Sequence, residues 1–272
     1  MLKEIIRRFV FKMFLFFRND TKTQVTLLND SIGFEILYNG YYEKSNLELI
    51  KKSLPVNIAN TTFLDIGANI GNHSLFFKDS FDKVESFEPQ KKIFQILKLN
   101  TQEYSNIKIY NYGISNEDTL KNFHIPITNS GMASEKKHLS DYYSEKVLLK
   151  KLDYRNFIDV GYIKIDVEGS EYKVLNSLDD IIKTSRPIIS FELNRNNIDR
   201  KKIIDLLKDY GYHDFFVPEA YRYQNNRIIR ILKSVFSDNL VNISEKELLN
   251  HTNSFTLVST FNKNSDYRLI NI

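Results

Sequence analysis

Short runs of apolar or β-branched residues alternate with longer amphipathic stretches over most of the chain after residue 60. The runs at 61–64 and 187–191 are almost continuously apolar or β-branched, which is typical of strands buried on both faces of a parallel sheet. Five strand–helix units follow one another, so the pattern predicts a mostly parallel sheet with helices on both faces. We therefore expect an α/β domain over residues 56–272, preceded by an extension over residues 1–55.

The elements of the predicted domain follow from the same pattern. The predicted strands cover residues 61–64, 84–87, 107–112, 161–166, 187–192, 212–218 and 255–261. The predicted helices cover residues 73–79, 90–104, 170–182 and 199–210. Residues 115–151 are polar and irregular, apart from an edge strand at 123–127 and a return strand at 147–153. An excursion of this length inside a compact domain usually carries function.

The N-terminal extension has two parts. Residues 1–18 predict an amphipathic helix with a phenylalanine-rich face opposite a basic face, too short and too charged to span a bilayer. Such a helix suits either the surface of an anionic membrane or packing on its own domain or on a second subunit. Residues 24–42 carry turn signals and predict one or two short strands, and residues 47–54 predict a helix.

Composition and charge narrow the class of protein. The chain of 272 residues is 42% hydrophobic and 26% charged, as in ordinary globular proteins. It has no cysteine, which excludes disulfides and thiolate ligands and fits a reducing, cytoplasmic location. The formal net charge of +4 comes entirely from residues 1–18. Because a nucleic-acid enzyme usually carries a basic field over its body, we expect no nucleic-acid partner.

Residues 61–74 predict a strand that passes through a glycine-bearing turn into a helix, an arrangement that holds nucleotide-like cofactors. The spacing of Asp65, Gly67 and Gly71 differs from the dinucleotide fingerprint, and a leading carboxylate repels phosphate. A carboxylate suits the sulfonium and amino groups of S-adenosylmethionine. A plain strand-to-helix turn is the alternative.

Glu88 ends the next predicted strand and precedes Pro89, which suits the first turn of a helix. An acidic residue about 20 positions after a glycine turn commonly accepts hydrogen bonds from both ribose hydroxyls. The alternative role is a surface carboxylate that caps the helix start.

A third group of polar residues follows the fourth predicted strand. Lys164 and Asp166 point to the same face of that strand, and Glu168 comes just after it. A lysine inside a covered strand is costly unless it is paired, and Asp166 or Glu192 could pair with it. Since ligands bind at the carboxyl ends of parallel strands, these residues are candidates for chemistry. A buried salt bridge with Glu168 as a helix cap is the structural alternative.

The segments FLDIGANIGNHS, ESFEP, KLD, YIKIDVEGSEYKVL and PIISFEL occur in this order over residues 60–195. In sequence and spacing they resemble the FkbM-type methyltransferases. The resemblance implies a class I S-adenosylmethionine-dependent methyltransferase fold, with a Rossmann-like, seven-stranded and mostly parallel sheet. The implied cofactor-binding residues are Asp65, Gly67, Ala68, Asn69, Gly71, Asn72, Glu88, Pro89, Tyr112 and Gly113, the last two beside the adenine.

Methyl transfer to a hydroxyl needs a base or a metal, because a neutral alcohol is a poor nucleophile. The candidate catalytic residues are Asp166, Lys164, Glu168 and His73. Asp166, Glu192 and Asn194 form an all-oxygen set that suits Mg²⁺ or Mn²⁺. A lone histidine such as His73 is more often a packing residue than a catalyst.

The resemblance implies an acceptor hydroxyl on a sugar, a glycan or a related metabolite, and we expect a role in bacterial surface-polysaccharide biosynthesis. Two other functions stay open from the sequence. One is an NAD-dependent oxidoreductase, which the missing third glycine spacing disfavours. The other is a non-catalytic subunit that recruits a partner through residues 1–18.

Overall fold

The computed structural model describes residues 24–26, 31–126, 142–193, 199–219, 221, 239–250 and 255–260. The strands are β1 (Thr62–Ile66), β2 (Lys83–Phe87), β3 (Ile107–Tyr110), β4 (Gly113–Ile114), β5 (Thr119–Pro126), β6 (Tyr142–Lys150), β7 (Val160–Ile165), β8 (Ile188–Leu193), β9 (Asp214–Pro218), β10 (Leu240–Asn242) and β11 (Phe255–Thr260). The α-helices are α1 (Ser31–Asn39), α2 (Lys44–Ser53), α3 (Asn72–Phe77), α4 (Lys91–Thr101), α5 (Glu171–Ser177), α6 (Asp179–Ser185), α7 (Arg200–Asp209) and α8 (Glu245–Asn250). Short 3₁₀ turns occupy Val56–Asn60 and Tyr154–Asn156.

The described strands form one large sheet of eight in the order β10-β9-β11-β8-β7-β1-β2-β3. The five adjacent strands β3, β2, β1, β7 and β8 all run parallel to one another. Strand β11 runs antiparallel to both β8 and β9, and β10 runs antiparallel to β9. The predicted mostly parallel α/β sheet is confirmed. Its strand count exceeds the predicted seven because β10, only three residues long, pairs along the outer edge.

Side chains of the central strands alternate between two hydrophobic cores, as the two-residue period of a strand requires. Leu64 and Ile66 of β1 pack in the core on one face, whereas Phe63 packs in the core on the other. Phe63 stacks on Tyr162 of β7 with ring centroids 4.9 Å apart. Strand β1 is buried along its whole length, so it is the centre of the domain.

The N-terminal extension differs from its prediction. Residues 31–39 form helix α1, so the short strands predicted within residues 24–42 are wrong there. The turn signals at Asn39 and Gly40 mark the end of this helix, because the N–H of Gly40 closes its last turn on the carbonyl of Ile36 at 2.8 Å. The amphipathic helix predicted at residues 1–18 lies outside the described residues.

Two other elements also differ from the sequence pattern. The helix predicted over residues 170–182 is divided into α5 and α6, because Leu178 leaves helical geometry with φ −95° and ψ 11°. The irregular excursion at residues 115–151 contributes β5 and β6, and β6 pairs with both β5 and β4 in a separate three-stranded sheet. No helix in the described part of the chain is long and apolar enough to cross a membrane.

Candidate active site

Three parallel strands end side by side at one edge of the large sheet. Ile66 of β1 pairs in register with Phe87 of β2 and with Ile165 of β7. The next residue after each of these strands is therefore Gly67, Glu88 or Asp166. The strand register alone brings the glycine turn, the predicted ribose carboxylate and the predicted base to one place.

An open cleft lies over these strand ends, and its space of about 740 Å³ includes the open solvent at its mouth. Its wall is formed by Ile66, Gly67, Asn69, Glu88, Pro89, Gln90, Gly113, Ile114, Ser115, Phe123, Leu149, Asp166, Val167, Glu168, Ser170 and Lys173.

The turn after β1 is held in a conformation that few residues adopt. Gly67 has φ +78°, and a Cβ atom there would lie 1.9 Å from the carbonyl oxygen of Asp166. Glycine is thus required both for the backbone angle and for the close approach of the turn to the end of β7. Asn69 follows with φ +52°, a left-handed conformation that asparagine tolerates better than most residues.

Glu88 is buried, with 3% of its surface exposed, and it joins two loops. Its Oε2 accepts a hydrogen bond from the N–H of Asn69 at 3.0 Å, and its Oε1 accepts one from the N–H of Gln90 at 2.8 Å. Burial raises the pKa of Glu88 to about 7, although these two hydrogen bonds oppose the shift. Each carboxylate oxygen keeps a second lone pair, so the group can still accept both hydroxyls of a ribose. The Glu88 carboxylate, as a hydrogen-bond acceptor, therefore fits the nucleoside end of S-adenosylmethionine.

The cleft beyond Glu88 is apolar and contains residues that the sequence did not single out. Pro89 and Ile114 lie there with Phe123 and Leu149, which belong to the three-stranded sheet. An apolar recess beside a carboxylate that can accept ribose hydroxyls would suit a purine ring. Tyr112, predicted beside the adenine, instead packs on Phe87 with ring centroids 5.7 Å apart and is absent from the cleft wall.

Lys164 and Asp65 form a buried ion pair behind the cleft. Lys164 Nζ lies 3.4 Å from Asp65 Oδ1 and 3.5 Å from Asp166 Oδ2. It also donates a hydrogen bond to the carbonyl oxygen of Gly67 at 2.8 Å. Burial alone would lower the pKa of Lys164, but the charges of Asp65 and Asp166 outweigh it and raise that pKa. We call the turn after β1, at residues 67–71, the cofactor turn. Lys164 is therefore a cation held between the cofactor turn and the end of β7.

Asp166 is one of several carboxylates that act on one another through their charges. Burial, with the charge of Asp166 as the next cause, raises the pKa of Glu168 to about 8 and that of Glu192 to about 7. The pKa of Glu43 is raised by burial and, among other charges, by that of Asp166. We call Glu43, Asp166, Glu168 and Glu192 the acidic rim.

Glu43 reaches the acidic rim because the N-terminal extension is fastened to helix α3. The N–H of Tyr42 donates to Asn72 Oδ1 at 2.9 Å, and Asn72 Nδ2 donates to the carbonyl oxygen of Tyr42 at 3.0 Å. The side chain of Asn72, predicted to bind the cofactor, thus has both of its polar ends engaged by Tyr42. The sequence missed Tyr42 and Glu43, because nothing in the pattern of residues 24–54 signals a contact with the sheet.

His73 lies beside this site rather than in its wall. His73 is absent from the cleft wall, and its pKa is lowered to about 4 by burial and by the charge of Lys164. Asn194 lies outside the described residues. Within the described ranges no three His, Asp or Glu side chains are grouped closely enough to hold a metal ion.

The predicted catalytic and cofactor-binding residues thus divide into two sets. Those in the cleft wall are Gly67, Asn69, Glu88, Pro89, Gly113, Asp166 and Glu168. Those behind or beside it are Asp65, Ala68, Gly71, Asn72, Tyr112, Lys164 and His73. The second set supports the first: the backbone N–H of Ala68, for example, donates to the carbonyl of Phe87 at 2.9 Å. The assignment of roles to these residues stays a prediction.

A cleft over the carboxyl ends of parallel strands, with a glycine turn and a ribose-type carboxylate, defines a nucleoside-cofactor site on a Rossmann-like sheet. The family model of the methyltransferase FkbM domain matches residues 65–213, more than half of the chain. The chain therefore belongs to the FkbM methyltransferase family and is an S-adenosylmethionine-dependent methyltransferase of class I fold. This membership displaces both the oxidoreductase and the non-catalytic alternatives.

Solved structures resemble the chain more distantly. A methyltransferase FkbM from Methylobacillus flagellatus KT is 16% identical, with a TM-score of 0.41, over 78% of this chain and 56% of that one. An rRNA methylase from Streptococcus thermophilus is 8% identical, with a TM-score of 0.45, over 81% of this chain and 95% of that one. Precorrin-6y C5,15-methyltransferase from Geobacter metallireducens GS-15 is 11% identical, with a TM-score of 0.43, over 81% and 88%. No curated protein sequence matches the chain significantly.

Proposed function

We propose that the protein is an O-methyltransferase that methylates a hydroxyl of a sugar, a glycan or a related metabolite in bacterial surface-polysaccharide biosynthesis. One observation carries the proposal: Asp166 lies both on the wall of the cofactor cleft and within the acidic rim. Carboxylates accept hydrogen bonds from hydroxyls, and several together repel phosphate or carboxylate groups. The rim therefore favours an acceptor that presents neutral hydroxyls.

We assign Asp166 as the base that takes the proton of the acceptor hydroxyl. An alcohol becomes a good nucleophile when a positioned base takes its proton, and the Asp166 carboxylate is exposed enough to receive it, with 43% of its side chain accessible. When bound, S-adenosylmethionine supplies a methyl group on a positively charged sulfur. Glu88 would hold its ribose, the recess at Pro89 and Phe123 its adenine, and the turn at Gly67 its methionine end.

A divalent metal is a second way to activate the hydroxyl. Asp166 and Glu192 would provide two of its oxygen ligands, and Asn194 a third. Exhaustive chelation followed by a methyl-transfer assay separates the two routes, because only the metal-assisted route loses activity and recovers it with added Mg²⁺ or Mn²⁺.

The N-terminal segment bears on where the enzyme works. We propose that the protein is cytoplasmic and that residues 1–18 contact the inner face of the membrane or a second subunit. The basic and phenylalanine-rich composition of this segment supports the proposal. Co-sedimentation with anionic vesicles, compared between the full chain and a chain that begins at residue 19, tests the membrane contact. Equal sedimentation of the two proteins would contradict it.

The acceptor class is tested by mass spectrometry of surface glycans from cells that lack the gene and from cells complemented with variants. We expect one methyl group to disappear without the gene and to return with wild-type protein but not with Asp166→Asn. Asp82→Asn, a carboxylate change beside the opposite end of β2, should restore it fully. Glycans that stay unchanged in all strains would contradict the proposed acceptor class.

A further inference from the structure

Lys164 lies at the contact between the cofactor turn and the end of β7, yet it does not line the cleft. Only 6% of its surface is exposed. Its ammonium group bonds to the carbonyl of Gly67 and lies within 3.5 Å of carboxylate oxygens from both Asp65 and Asp166. A buried lysine is costly, and this one is retained at a point where two ligand-facing loops meet.

The two carboxylates that Lys164 contacts have different surroundings. Asp65 is fully buried, and its Oδ2 accepts a hydrogen bond from Ser74 Oγ at 2.6 Å. Ser74 Oγ in turn lies 2.8 Å from Ser86 Oγ, so this end is fixed in the interior of the sheet. Asp166 is the open end, on the cleft wall. Lys164 therefore connects an immobile carboxylate to one that can meet a ligand.

The group formed by Asp65, Lys164 and Asp166 carries one net negative charge, which is presented to the cleft through Asp166. The methyl donor and its product differ by one charge at the sulfur: the sulfonium of S-adenosylmethionine is a cation, and the thioether of S-adenosylhomocysteine is neutral. A fixed carboxylate near the sulfur attracts the first and is indifferent to the charge of the second.

We propose that Lys164 is a positioning residue that holds Asp166 against the cofactor turn, and that the Asp65–Lys164–Asp166 group makes this end of the cleft prefer the sulfonium cofactor over the thioether product. The preference favours release of the spent cofactor after transfer. The inference rests on the cofactor and is independent of the acceptor.

The test is calorimetric titration of the purified full chain with S-adenosylmethionine and with S-adenosylhomocysteine, which needs no acceptor. The measured quantity is the dissociation constant of the product divided by that of the cofactor. We expect Asp166→Asn to lower this ratio by about three- to tenfold, since a half-exposed charge is partly screened. Asp82→Asn removes a distant surface carboxylate and should leave the ratio unchanged.

The positioning role of Lys164 needs variants that keep the charge. The double variant Asp65→Asn with Lys164→Met keeps one net negative charge but removes the attachment of Asp166. Asp166→Glu keeps the charge and displaces the carboxylate by one methylene. Because Asp166 is exposed, this variant should fold even if the double variant, which changes two buried residues, does not. We expect both to lower the ratio, while the affinity for S-adenosylhomocysteine changes less than that for the cofactor. A solely structural lysine would weaken both ligands alike.

The outcomes are distinguishable. A ratio that equals the wild-type value in Asp166→Asn overturns the charge preference, and one that equals it in Asp166→Glu overturns the positioning role. Wild-type protein that binds neither compound would overturn the cofactor assignment and this inference together. If both compounds bind and the ratio of their dissociation constants is the same in wild-type protein and in every variant, the inference is overturned while the cofactor assignment stands.

Discussion

Asn72 and Tyr42 are joined by two hydrogen bonds, in which the amide side chain of Asn72 pairs with the backbone N–H and C=O of Tyr42 as a neighbouring strand would. Asn72 begins helix α3, immediately after the cofactor turn, and Tyr42 precedes helix α2. One side chain thereby fastens the N-terminal extension to the element that follows the turn. The extension is in this way part of the site.

Replacing Asn72 by alanine should separate the extension from the site. Asn72 is only 6% exposed, so its loss leaves two backbone groups of Tyr42 without partners and should lower the free energy of unfolding by about 1–3 kcal/mol. Chemical denaturation measures this change. Ser244→Ala removes two exposed hydrogen bonds between Ser244 and Glu247 at the start of α8 and should cost less. Equal losses in the two variants would contradict the role of burial.

Two glycines with similar backbone angles allow the clash at Gly67 to be isolated. Gly67 has φ +78° and Gly169 has φ +90°, but a Cβ at Gly169 meets nothing within 4 Å. Gly169→Ala should cost about 1–2 kcal/mol of stability through backbone strain alone. Gly67→Ala adds an overlap with the carbonyl of Asp166, so it should cost several kcal/mol more and abolish cofactor binding. Thermal unfolding and calorimetry distinguish the two variants; equal effects would show that the turn can move away from β7.

The raised pKa of Glu88 predicts how cofactor affinity depends on pH. Ribose hydroxyls donate to the ionised carboxylate, and in the free protein the pKa of Glu88 is about 7. Protonation must therefore compete with binding, and the dissociation constant of S-adenosylmethionine should rise towards tenfold per pH unit below pH 7. Glu88→Gln should weaken binding at pH 8 and flatten this dependence. An equally steep dependence in the variant would assign the titration to another group.

The acidic rim should make the free protein less stable as the pH rises. Folding raises the pKa of Glu168 from 4.5 to about 8 and that of Glu192 from 4.5 to about 7. Between these values the folded state binds more protons than the unfolded state, so the free energy of unfolding falls with increasing pH. The decrease should continue until the pH exceeds the folded-state pKa of Glu168, about 8. Melting temperatures measured from pH 5 to pH 8 should decrease less steeply in Glu168→Gln than in wild-type protein, and parallel curves would contradict this origin.

The sequence predicts the site best where a glycine or an acidic residue lies at the end of a strand. Gly67, Glu88 and Asp166 were all identified because each lies at the end of a predicted strand, and parallel strands end at a common edge. The sequence predicts that the carboxylate of Asp65 meets the ligand, and in the structure this carboxylate contacts Lys164 and Ser74. Alternation along a strand gives the face of a side chain but not its depth below the strand end.

Other parts of the site depend on long-range packing that a local pattern does not encode. Phe123 and Leu149 reach the cleft because β5 and β6 fold back as a separate sheet, and Glu43 reaches the acidic rim because the extension packs on α3, where Asn72 bonds to Tyr42. Strand β10 is three residues long and is stabilised by its pairing with β9 rather than by its own composition. In each case the residues that come into contact are distant in sequence, so the periodicity of either segment does not predict the contact.

The row of polar side chains across the middle of the sheet restricts how this sequence can diverge. Ser86, Asp65, Lys164 and Ser190 stand in register on four adjacent strands, and the central pair is almost completely shielded from water. Replacing only Asp65 or only Lys164 by a neutral residue would leave the other charge unpaired in the interior. The cost would be comparable to a large part of the stability of a domain. Asp65 and Lys164 should thus be inherited as a unit, so that descendants of this sequence keep both or exchange both.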